Sequence, residues 1–336
     1  MLHNDEAIEW LKGKRIIFAL LANQEPDVLA AQLNNIHHYN PNAGVILYNG
    51  GTDPTFGESL GVCLFPRSHP IAYGNLAPYL WEVMQWLEEL QVEYDYLVNL
   101  DHDILFLKPG FEAFLDVTMR EADCMGWGLT SSVIHPDSAP IRSMLERWPR
   151  WQSLFGTKMF YRYFNPGQVY KREIVTRMLH HDEPGMVSSM LTDNPPFALE
   201  ETFFVSMVHA CGGRIREYPD GHMYNYSVRW GQEITAEEAE QAREHPSYYW
   251  VHPVKGQHLQ ELNHRLQHPE EVAREAELAR LAAATVVPEV RAGKRIRRRK
   301  RVRGRRAVKR SGRRRLGAIS RRRRRKLGAK RRLRRR

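Results

Sequence analysis

Three small groups of residues in this chain have the types and spacing to do chemistry. The first is Asp101-His102-Asp103, which closes the run Tyr94-Asp95-Tyr96-Leu97-Val98-Asn99-Leu100. Tyr, Leu and Val have the bias of a central strand, so the two carboxylates fall where a strand ends. Ligands of open α/β sheets bind at the carboxyl ends of strands. Two carboxylates there suit a hard divalent cation, Mg²⁺ or Mn²⁺, that also holds substrate phosphates. The same tripeptide could equally be the polar start of a loop. The second group is Glu200-Glu201, ahead of the apolar stripe Phe204, Met207, Val208 and Cys211. Acids in a first helical turn complement the helix dipole. A carboxylate there could instead deprotonate an attacking hydroxyl, a role that contributes ~10²–10⁴ in rate. The third is His252-Pro253-Val254-Lys255-Gly256, after the aromatic run Tyr248-Tyr249-Trp250. The His252 imidazole can complete a metal shell begun by Asp103, and Lys255 can reach a diphosphate oxygen.

These groups need elements to position them. Arg15 to Leu21 is a continuous apolar run, as in a parallel strand covered on both faces. Glu25 to Tyr39 follows with Val28, Leu29, Leu33 and Ile36 at helical spacing. Val45 to Tyr48 gives a second strand, closed by Asn49-Gly50-Gly51. From Asn75 a long helix keeps Leu76, Leu80, Val83, Leu87 and Leu90 on one face, and the strand ending at Asp101 comes next. A helix over Phe111 to Glu121 leads to a strand at Asp123 to Trp127, and Ser131 to Tyr163 shows no clear period and reads as irregular. Gly212-Gly213 stops the Phe204 helix. Thr235 and Glu238 form a capping box, and Pro269 to Ala284 is a Glu/Arg/Ala-rich helix. Strands alternating with helices predict an α/β fold, Rossmann-like, with a mainly parallel sheet flanked by helices.

The turn after the first strand, Ala22-Asn23-Gln24-Glu25-Pro26, has no GxGxxG, and no P-loop occurs, so dinucleotide binding is disfavoured. Without a Gly-rich cradle, phosphates need a metal and a cationic side chain. Taken in order, Asp101-His102-Asp103, Asn165-Pro166-Gly167, Glu200-Glu201 and His252 with Lys255 resemble the motif series of GT-A-fold glycosyltransferases. Residues 15–256 carry that resemblance. Tyr94 to Gly110 also resembles the corresponding strand of the branching N-acetylglucosaminyltransferases, a group that lacks a full DxD.

The resemblance implies a nucleotide-sugar donor, a UDP-sugar on family precedent, with Mn²⁺ or Mg²⁺ bridging its diphosphate. Asp101, Asp103 and His252 would hold the ion, Asp101 and Lys255 the donor phosphates. Glu201 would be the base of an inverting reaction, with Glu200 positioning an acceptor that no residue names. Asn165 and Gly167 could let backbone approach a donor sugar, or could be a turn before a strand at Val169. Asn23 and Asn49 end the first two strands, where the family binds the base, although ordinary turn chemistry explains them too. Sugar-nucleotide pyrophosphorylases share the layout but carry a Gly-rich, Arg-containing loop after the first strand. A non-catalytic polyanion-binding or packaging protein built on a degenerate transferase domain is the remaining class.

The chain of 336 residues holds 50 Lys and Arg against 39 Asp and Glu. Of the basic residues, 28 lie in residues 291–336, where no acid occurs, leaving 22 and a balance of −17 in residues 1–290. An acidic globular part thus precedes a polycationic tail too poor in apolar residues to form a core. The expected organisation is a catalytic domain over 1–262, a helical linker over 263–290 and a disordered Arg-rich tail over 291–336. Such a tail binds polyanions, nucleic acid first, through phosphates. No aromatic residue follows Trp250, so base stacking plays no part. No stretch approaches ~18 consecutive apolar residues. Met1 to Trp10, with His3, Asp5, Glu6 and Glu9, is no secretory signal. Three singly spaced cysteines, Cys63, Cys124 and Cys211, fit a reducing compartment, and the cytoplasm is the expected location.

Overall fold

The computed structural model of the protein describes residues 4–23, 25–181, 185–221 and 227–285. The Arg-rich segment 291–336 and Gln24 lie outside them. Two compact units divide the chain, residues 1–272 and 273–336. Of the second, residues 273–285 are described, as helix. The first contains the sheet and every site residue considered below.

A seven-stranded sheet forms its centre. The apolar runs give β1 (Ile16–Ala22), β2 (Gly44–Asn49) and the two-residue β3 (Cys63–Leu64), followed by β4 (Tyr96–Asp101). A short β5 (Leu105–Phe106) precedes β6 (Cys124–Ser131), β7 (Tyr161–Lys171), β8 (Ile215–Glu217) and β9 (Trp250–Val251). The order is β3-β2-β1-β4-β7-β6-β8, and β5 pairs with β9 apart from it. β1, β2, β3 and β4 run parallel, and β7 lies antiparallel between β4 and β6. The chain winds outward from β1 to β2 and β3, then returns to lay β4 on the other side of β1. That reversal opens a crevice at the carboxyl ends of β1 and β4, where Leu21 pairs with Asp101.

Successive side chains of a strand face opposite sides, so β1 feeds two cores. Phe18 and Leu20 pack on one face with Leu29, Leu33, Ile36 and Phe106. Ile17 and Ala19 pack on the other with Leu80, Val83, Met84 and Leu87. The helices that cover them are α1 (Asn4–Leu11), α2 (Pro26–Tyr39), α3 (Ala77–Glu89) and α4 (Phe111–Thr118). Next come α5 (Ala139–Glu146), α6 (Trp148–Phe155), α7 (Arg172–Leu179), α8 (Met186–Thr192) and α9 (Phe203–Ala210). The last helices among the described residues are α10 (Ala236–Glu244), α11 (Gly256–Gln267) and α12 (Pro269–Thr285). The capping box at α10 is formed on both sides, Thr235 accepting from the Glu238 amide and Glu238 from the Thr235 amide.

Three expectations need correction. Residues 131–163 are not irregular: α5 and α6 occupy them, each eight residues long with Pro in its first turn. Two turns bury only Pro140, Ile141 and Met144, or Trp151, Leu154 and Phe155, too few positions to print a period. Asn165 to Gly167 is no turn ahead of a strand. It lies inside β7, where the pairing with β6 jumps from Val169 opposite Met125 to Phe164 opposite Trp127. Glu200 and Glu201 do not start the Phe204 helix; they sit in a separate 3₁₀ turn, Leu199–Glu201, ahead of α9.

Candidate metal centre and its pocket

β4 delivers Asp101 as its last residue, and the chain then turns through Asp103 into β5. β5 pairs antiparallel with β9, Leu105 opposite Val251, and the Val254 amide donates to the Asp103 carbonyl at 2.8 Å. This pairing carries His252 across about 150 residues of sequence to lie beside the acidic turn. His252 Nε2 stands 3.1 Å from Asp103 Oδ1 and 4.0 Å from Asp101 Oδ2. One ligand atom from each of the three residues lies within 4.8 Å of the others. Lys255 Nζ is 3.8 Å from Asp103 Oδ2.

The chemistry of this set fits a hard divalent ion. His252 Nδ1 is 3.0 Å from the Arg229 carbonyl oxygen, to which only a ring N–H can donate. When the ring is neutral, this tautomer leaves the Nε2 lone pair facing the carboxylates, the arrangement of metal-binding histidines. Asp103 Oδ1 is buried without a hydrogen-bond partner, so its approach to Nε2 is not itself an aligned hydrogen bond. An octahedral ion with bonds of ~2.1 Å sets neighbouring ligand atoms ~3.0 Å apart, close to the His252–Asp103 spacing. Burial pushes the Asp101 carboxyl up, and the charge of Asp103 adds to that. Burial works on Asp103 in the same direction, but His252, His102 and Lys255 outweigh it and hold Asp103 below the usual carboxylate range. Burial would lower His252, yet Asp103 and Asp101 hold it above the ordinary imidazole value.

Polar side chains from other elements fix the acidic turn. Gln32 of α2, fully buried, donates to the carbonyls of Asp101 at 2.9 Å and Ile104 at 3.2 Å. Asn35, one turn on, accepts from the Phe106 amide at 2.7 Å and donates to its carbonyl at 2.9 Å. Asn165 Nδ2 donates to Asp101 Oδ1 at 3.0 Å, and Asn99 of β4 donates to Asn165 Oδ1 at 2.9 Å. Sequence reasoning passed over Gln32 and Asn35. The available signal was their place on the buried side of a helix between Leu29, Leu33 and Ile36, where an amide must find partners.

A cavity of about 780 Å³ opens over these three residues. Asp101, Asp103, His252, Lys255, Glu200 and Glu201 all line it, as does Asn165. The two glutamates are held differently. Glu201 Oε2 accepts from Arg162 Nε at 2.6 Å, yet burial still holds its carboxyl above the usual range, the guanidinium offsetting only part of the rise. Glu200 Oε2 accepts from the Leu76 amide at 2.9 Å, and burial pushes its carboxyl up to about 8.

Three expected residues stand apart from the cavity. Gly167 has φ 75°, and a Cβ there would lie 2.0 Å from the Trp250 ring. Its missing side chain admits Trp250 of β9, not a ligand. Asn49 closes a turn, accepting from the Gly51 amide at 3.0 Å and donating to the Asp53 carbonyl at 2.6 Å. Asn23 is solvent-exposed beyond β1 and does not line the cavity.

No protein-family model matches this chain, and no curated protein matches it. Among solved structures it is similar to the galactosyltransferase LgtC, in complex with donor and acceptor sugar analogs, at 9% identity and TM-score 0.39. That likeness covers 81% of this chain and 98% of LgtC. Glucosyl-3-phosphoglycerate synthase from Mycobacterium tuberculosis, in complex with Mn²⁺, UDP and glucosyl-3-phosphoglycerate, is similar at 16% identity and TM-score 0.31, over 52% of this chain and 63% of the other. The bifunctional IspDF from Campylobacter jejuni is similar at 9% identity and TM-score 0.31, over 60% and 49%. At such scores neither the reaction nor the ligands of those proteins transfer to this chain.

Proposed function

We propose that the chain is a divalent-metal-dependent glycosyltransferase of the GT-A type, moving a sugar from a nucleotide-sugar, a UDP-sugar on family precedent, to an acceptor hydroxyl. The observation that carries this reading is the convergence of Asp101, Asp103 and His252 at the carboxyl end of β4, in one cavity with a second acidic pair. Bound there, Mn²⁺ or Mg²⁺ supplies Lewis-acid stabilisation of the departing diphosphate. Lys255, half-exposed at the N-terminus of α11, adds an ammonium on the same side. Glu201 takes the proton of the attacking hydroxyl, with Arg162 bonded to its carboxylate and offsetting part of the rise that burial imposes. Glu200 keeps its own proton there and positions the acceptor by hydrogen bonding. A single displacement with inversion follows from a base that touches the acceptor rather than the donor carbon.

The test is release of UDP from a panel of UDP-sugars in Mn²⁺. Turnover in Glu201→Gln should fall by on the order of 10² or more, with donor binding nearly intact. Wild-type turnover in that variant would overturn the assignment. For residues 291–336 we propose attachment to a phosphate polymer, nucleic acid first, on charge alone. Full-length protein should bind DNA and RNA with steep salt dependence, and a chain ending at Val290 should not. Equal, weak binding by both would exclude that role.

A further inference from the structure

Two aromatic rings stand in solvent beside the glutamates. Tyr73 is 88% exposed and Phe197 is 46% exposed, and both line the mouth of the cavity. Large apolar side chains are ordinarily turned inward, so such a pair at a pocket rim marks a contact surface. The backbone holds them where they are. The Ala198 amide donates to the Gly74 carbonyl at 2.7 Å, joining the two segments, and the Phe197 ring fills the space a Cβ on Gly74 would need. Ala198 adopts φ 50°, the left-handed region that non-glycine residues rarely enter, and strain of this kind gathers at ligand-binding segments. That twist sends Phe197 outward while the next turn sends Glu200 and Glu201 into the cavity. Leu76, whose amide holds Glu200, follows Tyr73 by three residues. The aromatic pair and the acidic pair are therefore one construction.

We propose that Tyr73 and Phe197 form the acceptor platform, and that the acceptor is a carbohydrate whose ring stacks on these faces. This rests on the transferase reading above. An occupant must satisfy aromatic carbon on one side and Glu200, Glu201 and Arg162 on the other. A sugar ring does both, with axial C–H bonds on one face and hydroxyls at its edge. An acyl chain would offer no hydrogen-bonding group to the carboxyl oxygens that Arg162 and the Leu76 amide leave free, at a penalty. Trp230, 66% exposed, lies on the other rim, next to Arg229, whose carbonyl holds His252. Its chain neighbour thus holds a candidate metal ligand, which places Trp230 on the donor side of this reading. The platform beside the acids is the one a hydroxyl nucleophile must use.

The test is saturation-transfer NMR on the full chain with lactose, maltose and cellobiose as probes, mannitol as the open-chain comparison, and a parallel titration of UDP with Mn²⁺. Wild type should saturate ring C–H protons of at least one disaccharide and none of mannitol. The double variant Tyr73→Ser, Phe197→Ser should weaken the disaccharide about tenfold and leave UDP–Mn²⁺ affinity unchanged. Both residues are surface-exposed, so folding, checked by circular dichroism, is not at stake. No disaccharide binding by wild type, or binding indifferent to the double variant, overturns the proposal. A tenfold loss of UDP–Mn²⁺ affinity also overturns it, because the rings would then stack the nucleobase. Aromatic-dependent disaccharide binding without any UDP–Mn²⁺ binding supports the platform and instead sinks the transferase reading.

Discussion

Asp101 with Asp103 and Glu200 with Glu201 are two carboxylate pairs in one cavity, and the fold treats them differently. On Asp103 the charges of His252, His102 and Lys255 outweigh burial and favour the carboxylate, whereas Asp101, to which Asn165 donates, is still pushed up by burial and by Asp103. Their ligand atoms converge with that of His252, and amides from α2 and β7 immobilise the turn between them. The glutamates are both pushed up by burial, and different partners hold them. Arg162 takes one, while the other receives a backbone amide and is pushed up to about 8 by burial. Aimed together and compensated by cations, two carboxylates form a place for a cation. Two carboxylates held by different partners, one by a guanidinium and one by a backbone amide, suit a base beside a hydrogen-bond donor. Burial pushes all four up, and only at Asp103 do the neighbours reverse it.

Substitutions can break one pair and spare the other. Gly167→Ala would force a Cβ against Trp250 at a left-handed position. It should cost about 3 kcal/mol in denaturant unfolding. It should also weaken Mn²⁺ binding through β9 and His252, with Glu201 and Arg162 undisturbed. His252→Ala should lower Mn²⁺ affinity by roughly a hundredfold, read by the loss of bound-ion signal in paramagnetic resonance. Glu200 tests the other half through pH. Its folded value near 8 lies above its ordinary 4.5, so its contribution to stability is fully present below pH 4.5 and is lost as pH rises through 8. Melting temperatures of wild type, without added metal, should therefore fall between pH 5 and 9 more than those of Glu200→Gln. Parallel curves would show that Glu200 is not raised. The smallest effect is Gln32→Leu, about 1 kcal/mol for two lost hydrogen bonds to Asp101 and Ile104. It should loosen metal binding without altering the pH behaviour of Glu200.

What could be read in the sequence was local. The strand ending at Asp101 prints its β-branched and aromatic composition over six residues, and the long helix after Asn75 repeats its apolar stripe over several turns. The capping box at Thr235 and Glu238 is written within four residues. The rest depends on partners far along the chain. β5 and β9 have two residues each, below any period, and only their pairing joins His252 to Asp103. The jump of pairing within β7 depends on β6 and on Trp250, so Asn165 and Gly167 looked like a turn. Gln32 looked like any polar helical residue until the carbonyls it serves were located. The 3₁₀ turn bearing the glutamates is set by the bond from Ala198 to Gly74, more than a hundred residues away.

The central claim is that Asp101, Asp103 and His252 hold a divalent ion that binds a nucleoside diphosphate. It is tested most directly by titrating UDP into the full chain in Mn²⁺ and in EDTA, for wild type and Asp103→Asn. Salt of about 0.5 M should be used to screen the arginine-rich segment. The account predicts UDP binding by wild type in Mn²⁺ that is at least about tenfold weaker in EDTA, and loss of most of that difference in Asp103→Asn. Equal UDP affinity in Mn²⁺ and in EDTA for the wild-type protein would contradict it.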